Sequence, residues 1–412
     1  MNPDVSFFRK WALFALFNFV VLAAVGVLLR YKILFPLPFV DQKHLLHAHS
    51  HFAFAGWVSL ALYAGVIYLL QPANRLLKQL EWLLVAQQMA AYGMLFTFPF
   101  TGYAAGSIAF STASIFISYG FAWLVIKELL RRKKPAPENK WLMAGILCNV
   151  LSSLGTFTLA FLMVSKNMRQ DWYFGSVYFF LHFQYNGFFL FTIGALFIRY
   201  ISKHISVTGT IHLNRFFYLL IIALVPAWFL SLMWMRIPGW MYTAAALSGI
   251  IQLVALVYFL KAMAPLKPFF REQLQKHVKW FWLAAALAFT IKIVLQALSA
   301  VPQLNTYAFG VRPVVIGFLH LVLLVFVSVF IIGFFLQNQM LQLTTPAGKR
   351  AGWIFLIAVL VNEVLLMLQG IAGITYHTLP YANHLLLLTA LFIFSALLTL
   401  FIKNLHHDKQ AV

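Results

Sequence analysis

Residues 44–70 read HLLHAHSHFAFAGWVSLALYAGVIYLL, and from residue 52 to residue 70 no side chain is charged. A helix of about 20 apolar residues crosses the roughly 30 Å hydrocarbon core of a bilayer. Lipid offers the backbone no hydrogen-bond partner, so such a run must be helical, whereas a barrel strand would place a polar residue at every second position. The stretch therefore predicts a transmembrane helix with histidines clustered at one end.

The composition extends this conclusion to the whole chain of 412 residues, of which 63% are hydrophobic and 9% are charged. Soluble domains carry about 25% charged residues, so most of this chain cannot face water. The net charge of +21 lies mainly in short loops between apolar runs, which indicates membrane lipid rather than nucleic acid as the partner. The single cysteine, Cys148, excludes an internal disulfide and a Cys-based metal site.

The apolar runs predict an all-α polytopic integral membrane protein with about twelve transmembrane helices. The first run follows Arg9 and Lys10 and is interpreted as a retained span rather than a signal peptide. The predicted spans are residues 11–30, 46–70, 79–99, 105–127, 141–165, 172–198, 215–235, 240–260, 279–300, 313–336, 351–373 and 384–403.

The basic residues fix the predicted orientation. With the N-terminus inside, 22 lysines and arginines fall in inner segments and 7 in outer segments, and Lys292 lies within a span. Inner loops carry the excess of basic residues, so both termini are predicted to be cytoplasmic. We therefore expect a multi-pass protein of the inner, or cytoplasmic, membrane.

Three histidines lie inside predicted spans 2, 6 and 10: His51, His182 and His320. All three spans run from outside to inside, which places these histidines in the outer half of the membrane. His51 begins HFAFAGW, His182 begins HFQYNGF, and His320 begins the looser HLVLLVF. The first two read His-Phe-x-aromatic-x-Gly-aromatic, a short match that chance can produce in so aromatic a chain.

The three positions suggest a threefold repeat of four spans. They are separated by 131 and 138 residues, and each lies in the second helix of a four-helix unit. The hypothesis divides the single transmembrane domain, residues 1–412, into units 1–135, 136–265 and 266–412.

Neutral imidazole binds copper, iron and zinc, and haem iron accepts an axial histidine. On a helix, His47 and His51 share a face, whereas His49 points roughly 200° away, so the stretch can address two different neighbours. The alternative for His47 and His49 is an ordinary interfacial role, solvated by water and headgroups.

Other polar residues lie within the spans. Tyr185 and Asn186 follow His182 by three and four residues, and either can orient its ring. Lys292 and Glu363 are intramembrane ionisable residues, which often mark a proton or ion path. Their alternative interpretations are snorkelling for Lys292 and a structural interhelical hydrogen bond for Glu363.

The chain resembles the haem-copper oxidase subunit I superfamily and the related haem- and copper-containing membrane proteins of the NnrS type. The resemblance rests on twelve spans, cytoplasmic termini and histidines near the outer ends of spans 2, 6 and 10. It implies a subunit I-like bundle in which His51 and His320 bind haem, with His49 or His47 as alternates. It also implies His182 as a metal ligand and Tyr185 as the counterpart of the family's active-site tyrosine.

The chain also departs from that pattern. Predicted span 7 lacks the family's His-His pair for copper, span 10 has His320 alone, and His182-Phe183-Gln184 replaces His-Pro-Glu. A standard oxygen-reducing centre is therefore not expected, and whether the chain is an oxidoreductase stays open.

The leading hypothesis is a divergent haem-copper-oxidase-like protein that binds haem b, with copper as a second candidate cofactor. Its role would be redox, nitric-oxide-related or haem-sensing, with a quinol or another electron donor, and Tyr185, Lys292 and Glu363 as candidate catalytic residues. A copper or small-solute transporter or assembly factor, and a scaffold subunit without a cofactor, are the alternatives. The absence of a CxxCH motif excludes covalently attached c-type haem.

Overall fold

The computed structural model describes residues 5–133, 136–166 and 169–409, which are helical with short connections and contain no β-strand. It confirms the all-α fold and the twelve predicted spans, although the helices extend beyond most predicted ends. The spans are Val5–Leu34, Gln42–Leu70, Asn74–Thr101, Ala105–Arg131, Pro137–Val164, Gln170–Ile201, Val207–Leu232, Gly239–Gln273, Lys276–Leu298, Arg312–Gln337, Pro346–Ile374 and Ala382–Leu405, numbered 1 to 12 below. A short helix, Pro302–Gly310, precedes span 10.

Polar residues just outside the apolar runs determine where several helices begin. The Asp41 carboxylate accepts the His44 N–H at 2.8 Å and caps span 2. Ser206 Oγ accepts the Gly209 N–H at 3.1 Å and caps span 7. Such caps satisfy N–H groups that have no partner within the helix, so these helices start several residues before the membrane-length apolar run.

Spans 2, 6 and 10, called the interior spans below, are the most extensively buried of the twelve. In the most apolar 18-residue window of each, 83%, 83% and 61% of residues are buried, against 44% or less in every other span. The outer spans present large apolar side chains such as Phe116 and Leu287 on their exposed faces, which suits contact with lipid.

The chain forms two compact units, and span 10 contributes to both. The first comprises Met1–Arg131, Ser328–Ala372 and His377–Val412. Within it, span 1 packs against span 12, and Arg9 Nη2 donates to Asn404 O at 3.1 Å. Spans 3 and 4 pack together, and span 2 contacts spans 1 and 3.

The second unit comprises Arg132–Val327 and Gly373–Tyr376. Spans 5 and 6 pack closely because glycines stand where the helices meet: a Cβ on Gly155 would lie 2.5 Å from Ser176 O. Span 8 packs against spans 7 and 9. The predicted division into three units of four spans is a statement about sequence repetition and stays a prediction.

Each interior span widens into a π-helical segment beside its candidate histidine. The segments are Ala53–Ser59, Phe183–Phe189 and Leu321–Ser328, which begin two, one and one residues after His51, His182 and His320. π segments interrupt the regular hydrogen-bond ladder and occur frequently at functional sites. Glycine does not produce the π segments. Span 10 has Val325 at the motif position that Gly56 occupies in span 2 and Gly187 in span 6.

Candidate functional site

His182 is held by two hydrogen bonds within the second unit. Its Nε2 lies 2.8 Å from Leu224 O of span 7, and its Nδ1 lies 3.1 Å from Asn186 Nδ2. A carbonyl oxygen can only accept, so the proton is on Nε2, and Nδ1 accepts from the Asn186 amide. Both ring nitrogens are thereby engaged. Metal binding by His182 stays a prediction, and it would require one of these bonds to break.

Of the two residues predicted to orient His182, it is Asn186 that does so. Asn186 is one helical turn after His182 and is 5% exposed. The Tyr185 ring lies 6.5 Å from the imidazole and packs edge-on against Phe318 instead. A catalytic role for Tyr185 stays a prediction, and in this structure Tyr185 is a buried aromatic neighbour of the histidine.

His320 is held in one tautomer by a hydrogen bond within its own span. Its Nδ1 lies 2.8 Å from Ile316 O, one turn earlier in span 10, so Nδ1 carries the proton. The lone pair of the neutral ring is then on Nε2. Metal-bound histidines usually donate their other N–H to a carbonyl or carboxylate in this way, which fixes the tautomer. The chemistry of this histidine therefore fits a haem iron.

On span 2, His47 and His51 face the connection between spans 3 and 4. His51 stacks on Phe98, with 4.4 Å between ring centroids, and its Nε2 lies 3.0 Å from the Tyr103 hydroxyl. The His47 ring meets Tyr103 edge-on at 4.7 Å. His47 Nε2 is buried and finds no hydrogen-bond partner among the residues that the structure describes.

His49 lies on a different face of the same helix, as its position predicts. Its Cε1 would be 3.4 Å from a Cβ placed on Gly26 of span 1.

His44, in contrast, covers Gly102, where a Cβ would lie 2.5 Å from His44 Nε2. Gly102 has φ of 59°, a conformation that favours glycine, so both its backbone and the adjacent imidazole require the absence of a side chain.

Amide side chains support the π segment of span 2. The Leu60 N–H donates to Trp57 O, three residues before it, where the regular ladder would use Gly56 O. Asn18 Nδ2 of span 1 donates to Gly56 O at 2.6 Å. Asn18 also bonds with Gln88 and with the Tyr92 hydroxyl of span 3. The network fixes the backbone that follows the histidines.

Lys292 and Glu363 are both buried within their spans. Lys292 is 1% exposed, and its ammonium lies 5.8 Å from the Phe289 ring centroid. Glu363 is 5% exposed, and neither carboxylate oxygen has a hydrogen-bond partner within the described part of the chain. The burial of Lys292 contradicts snorkelling. The lack of a partner for Glu363 among the described residues contradicts an interhelical hydrogen bond. Their catalytic roles stay predictions.

The structure brings some of the candidate residues together and separates others. His47 and His51 share one cluster with Tyr103, and His182 pairs with Asn186. His51 belongs to the first unit and His320 to the second, so their pairing across a haem stays a prediction. Across residues 5–133, 136–166 and 169–409, no three His, Cys, Asp or Glu side chains converge as a metal-binding group.

Tyr103 is the contact residue that the sequence does not reveal. It lies 52 residues after His51, in a connection without a recognisable motif, and an aromatic residue near a membrane surface is ordinary. Only the packing of span 2 on span 3 brings its hydroxyl to the imidazole.

No protein-family model matches the chain, and no curated protein matches it significantly in sequence.

Proposed function

We propose that this chain is a divergent haem-copper-oxidase-like membrane protein that binds haem b in the outer half of the membrane. One observation carries the proposal: the three interior spans each place a histidine beside a π-helical segment. The proposal includes an inner-membrane location, cytoplasmic termini and a quinol or another electron donor. Haem b would supply a one-electron couple suited to redox, nitric-oxide-related or sensing roles.

His320 is the ligand that the local geometry favours most. Its Nδ1–H donates to Ile316 O, so Nε2 carries the lone pair that an iron would take. Span 2 offers the other candidate haem ligands, with His51 first and His49 and His47 as alternates. His182 instead contributes a fixed, neutral imidazole within the second unit.

The test is a reduced-minus-oxidised optical spectrum of the detergent-purified protein from a haem-replete host. We expect a low-spin haem signal in the wild type that is lost in His320→Ala and retained in His377→Ala, an exposed loop histidine. Size-exclusion profiles of both variants show whether they remain folded. A featureless wild-type spectrum would overturn haem binding.

Glu363 favours a second candidate function, the transport of copper or another small cation. A buried acidic side chain inside a membrane span is costly and usually functional, and both carboxyl oxygens of Glu363 lack a partner among the described residues. In proteoliposomes, we expect Glu363→Gln to abolish copper uptake and Glu272→Gln, an exposed acid, to preserve it. Absence of uptake by the wild type would contradict transport.

A further inference from the structure

The histidines of span 2 divide between two faces of the helix. His47 and His51 are four residues apart and both contact Tyr103, whereas His49 lies against Gly26. One small ligand cannot use both faces. The cluster of His47, His51 and Tyr103 is therefore a separate chemical environment from that of His49, although all belong to the first unit.

Three donor atoms are available in this cluster. His51 Nε2 and the Tyr103 hydroxyl are 3.0 Å apart, about the distance that separates two ligands each bound roughly 2 Å from the same metal ion. His47 Nε2 is buried next to the same tyrosine, with no hydrogen-bond partner in the described chain. Leaving a buried polar atom unsatisfied is unfavourable, and a bound ligand would remove that cost.

The surroundings suit a metal ion that arrives from outside the protein. Tyr103 is 37% exposed, so the cluster is open on one side, while the buried Phe98 ring stacks on His51 and restricts its rotation. Two imidazoles and a phenolic oxygen form an N,N,O donor set. Such a set binds copper(II) with higher affinity than it binds the other first-row divalent ions.

We propose that His47, His51 and Tyr103 form a copper(II) site near the outer end of span 2. This site rests on the proposed function, from which the expectation of copper comes. It places the copper on span 2 instead of on His182. His182 is a poorer ligand because both of its nitrogens already have hydrogen bonds. With His47 and His51 on the metal, His49 becomes the candidate haem ligand of span 2.

The experiment titrates copper(II) into the detergent-purified full chain and records affinity and the electron paramagnetic resonance spectrum. We expect one copper ion with nitrogen hyperfine structure. His47→Gln and His51→Gln should each weaken binding by about 100-fold or more, because loss of an outer-shell partner alone typically costs 10–100-fold. Tyr103→Phe should weaken binding by about 10-fold, since it removes one oxygen donor.

Two variants serve as matched controls. His49→Ala lies on the same helix, two residues from each proposed ligand, and should retain copper. His182→Ala should also retain it. Copper loss in His182→Ala together with retention in His47→Gln would overturn the site, and so would wild-type protein that binds no copper.

Haem spectra of the same samples separate the two proposals. Wild-type protein with haem but without copper would overturn the copper site and leave the proposed function standing. Wild-type protein with neither would overturn both. Loss of haem in His47→Gln, with retention of haem in His49→Ala, would make His47 a haem ligand and overturn the copper site.

Discussion

Spans 2 and 6 share a sequence motif and a backbone distortion, yet their histidines have different surroundings. His51 begins the motif in span 2 and His182 in span 6, and a π segment follows each. His182 is 1% exposed and is fixed by Asn186 and Leu224 O. His51 shares a partly exposed cluster with Tyr103, where His47 Nε2 is buried and, in the described chain, unsatisfied.

The difference shows that a local motif does not determine the chemistry of its histidine. In span 6 the fixing amide comes from within the motif, because Asn186 stands one turn after His182. In span 2 the equivalent position is Ala55, which has no polar side chain, so the ring contacts a residue of another segment. An imidazole whose two nitrogens are both hydrogen-bonded suits a structural role, whereas a partly exposed cluster with an unsatisfied nitrogen suits ligand binding.

The largest expected effect tests the support of the span 2 π segment. Asn18→Ala removes hydrogen bonds to Gly56 O, Gln88 and Tyr92 and leaves two buried groups and the part-buried Tyr92 without that partner. We expect a loss of about 3 kcal/mol in unfolding free energy. Thermal unfolding in detergent measures it, with Asn383→Ala, which loses one part-buried bond, as control. Equal losses in the two variants would show that the π segment does not depend on Asn18.

A smaller effect tests the contrast between the two histidines directly. Asn186→Ala removes the donor to His182 Nδ1 inside the protein, and we expect a loss of about 1 kcal/mol. Tyr103→Phe removes a bond near the surface, where water can replace it, and should cost less. The same thermal measurement ranks them, and the reverse order would mean that His51 is the more firmly held histidine.

The smallest effect concerns the start of span 2. The His44 N–H hydrogen bond lowers the pKa of Asp41 below its usual range. A carboxylate whose pKa is lowered by folding stabilises the helix start above its unfolded pKa of about 3.9, and this stabilisation is lost as the pH falls through the folded pKa.

Hydrogen exchange of the capped amides measures this effect. We expect the His44 amide to lose protection in acid, whereas the Gly209 amide, capped by the uncharged Ser206, should show no such transition. Similar pH profiles at the two amides would contradict a role for the Asp41 charge.

Much of the fold was predictable because lipid leaves few alternatives. Uncharged runs such as residues 52–70 must be helices, and the twelve predicted spans match the helices observed. The helix ends were less predictable, because caps such as Asp41 and Ser206 lie outside the apolar runs. The opposite faces of His47 and His49 followed from helical geometry alone.

The sequence by itself determined which residues face one another along a single helix, since 3.6 residues per turn fix that relation. It thus indicated that Asn186 can orient His182 and that His51 and His47 share a side. Only the tertiary structure decided that Leu224 O takes the second nitrogen of His182, that Tyr103 meets His51, and that Asn18 supports Gly56. Those contacts join different segments of the chain, and their partners depend on how the helices pack, which no local pattern encodes.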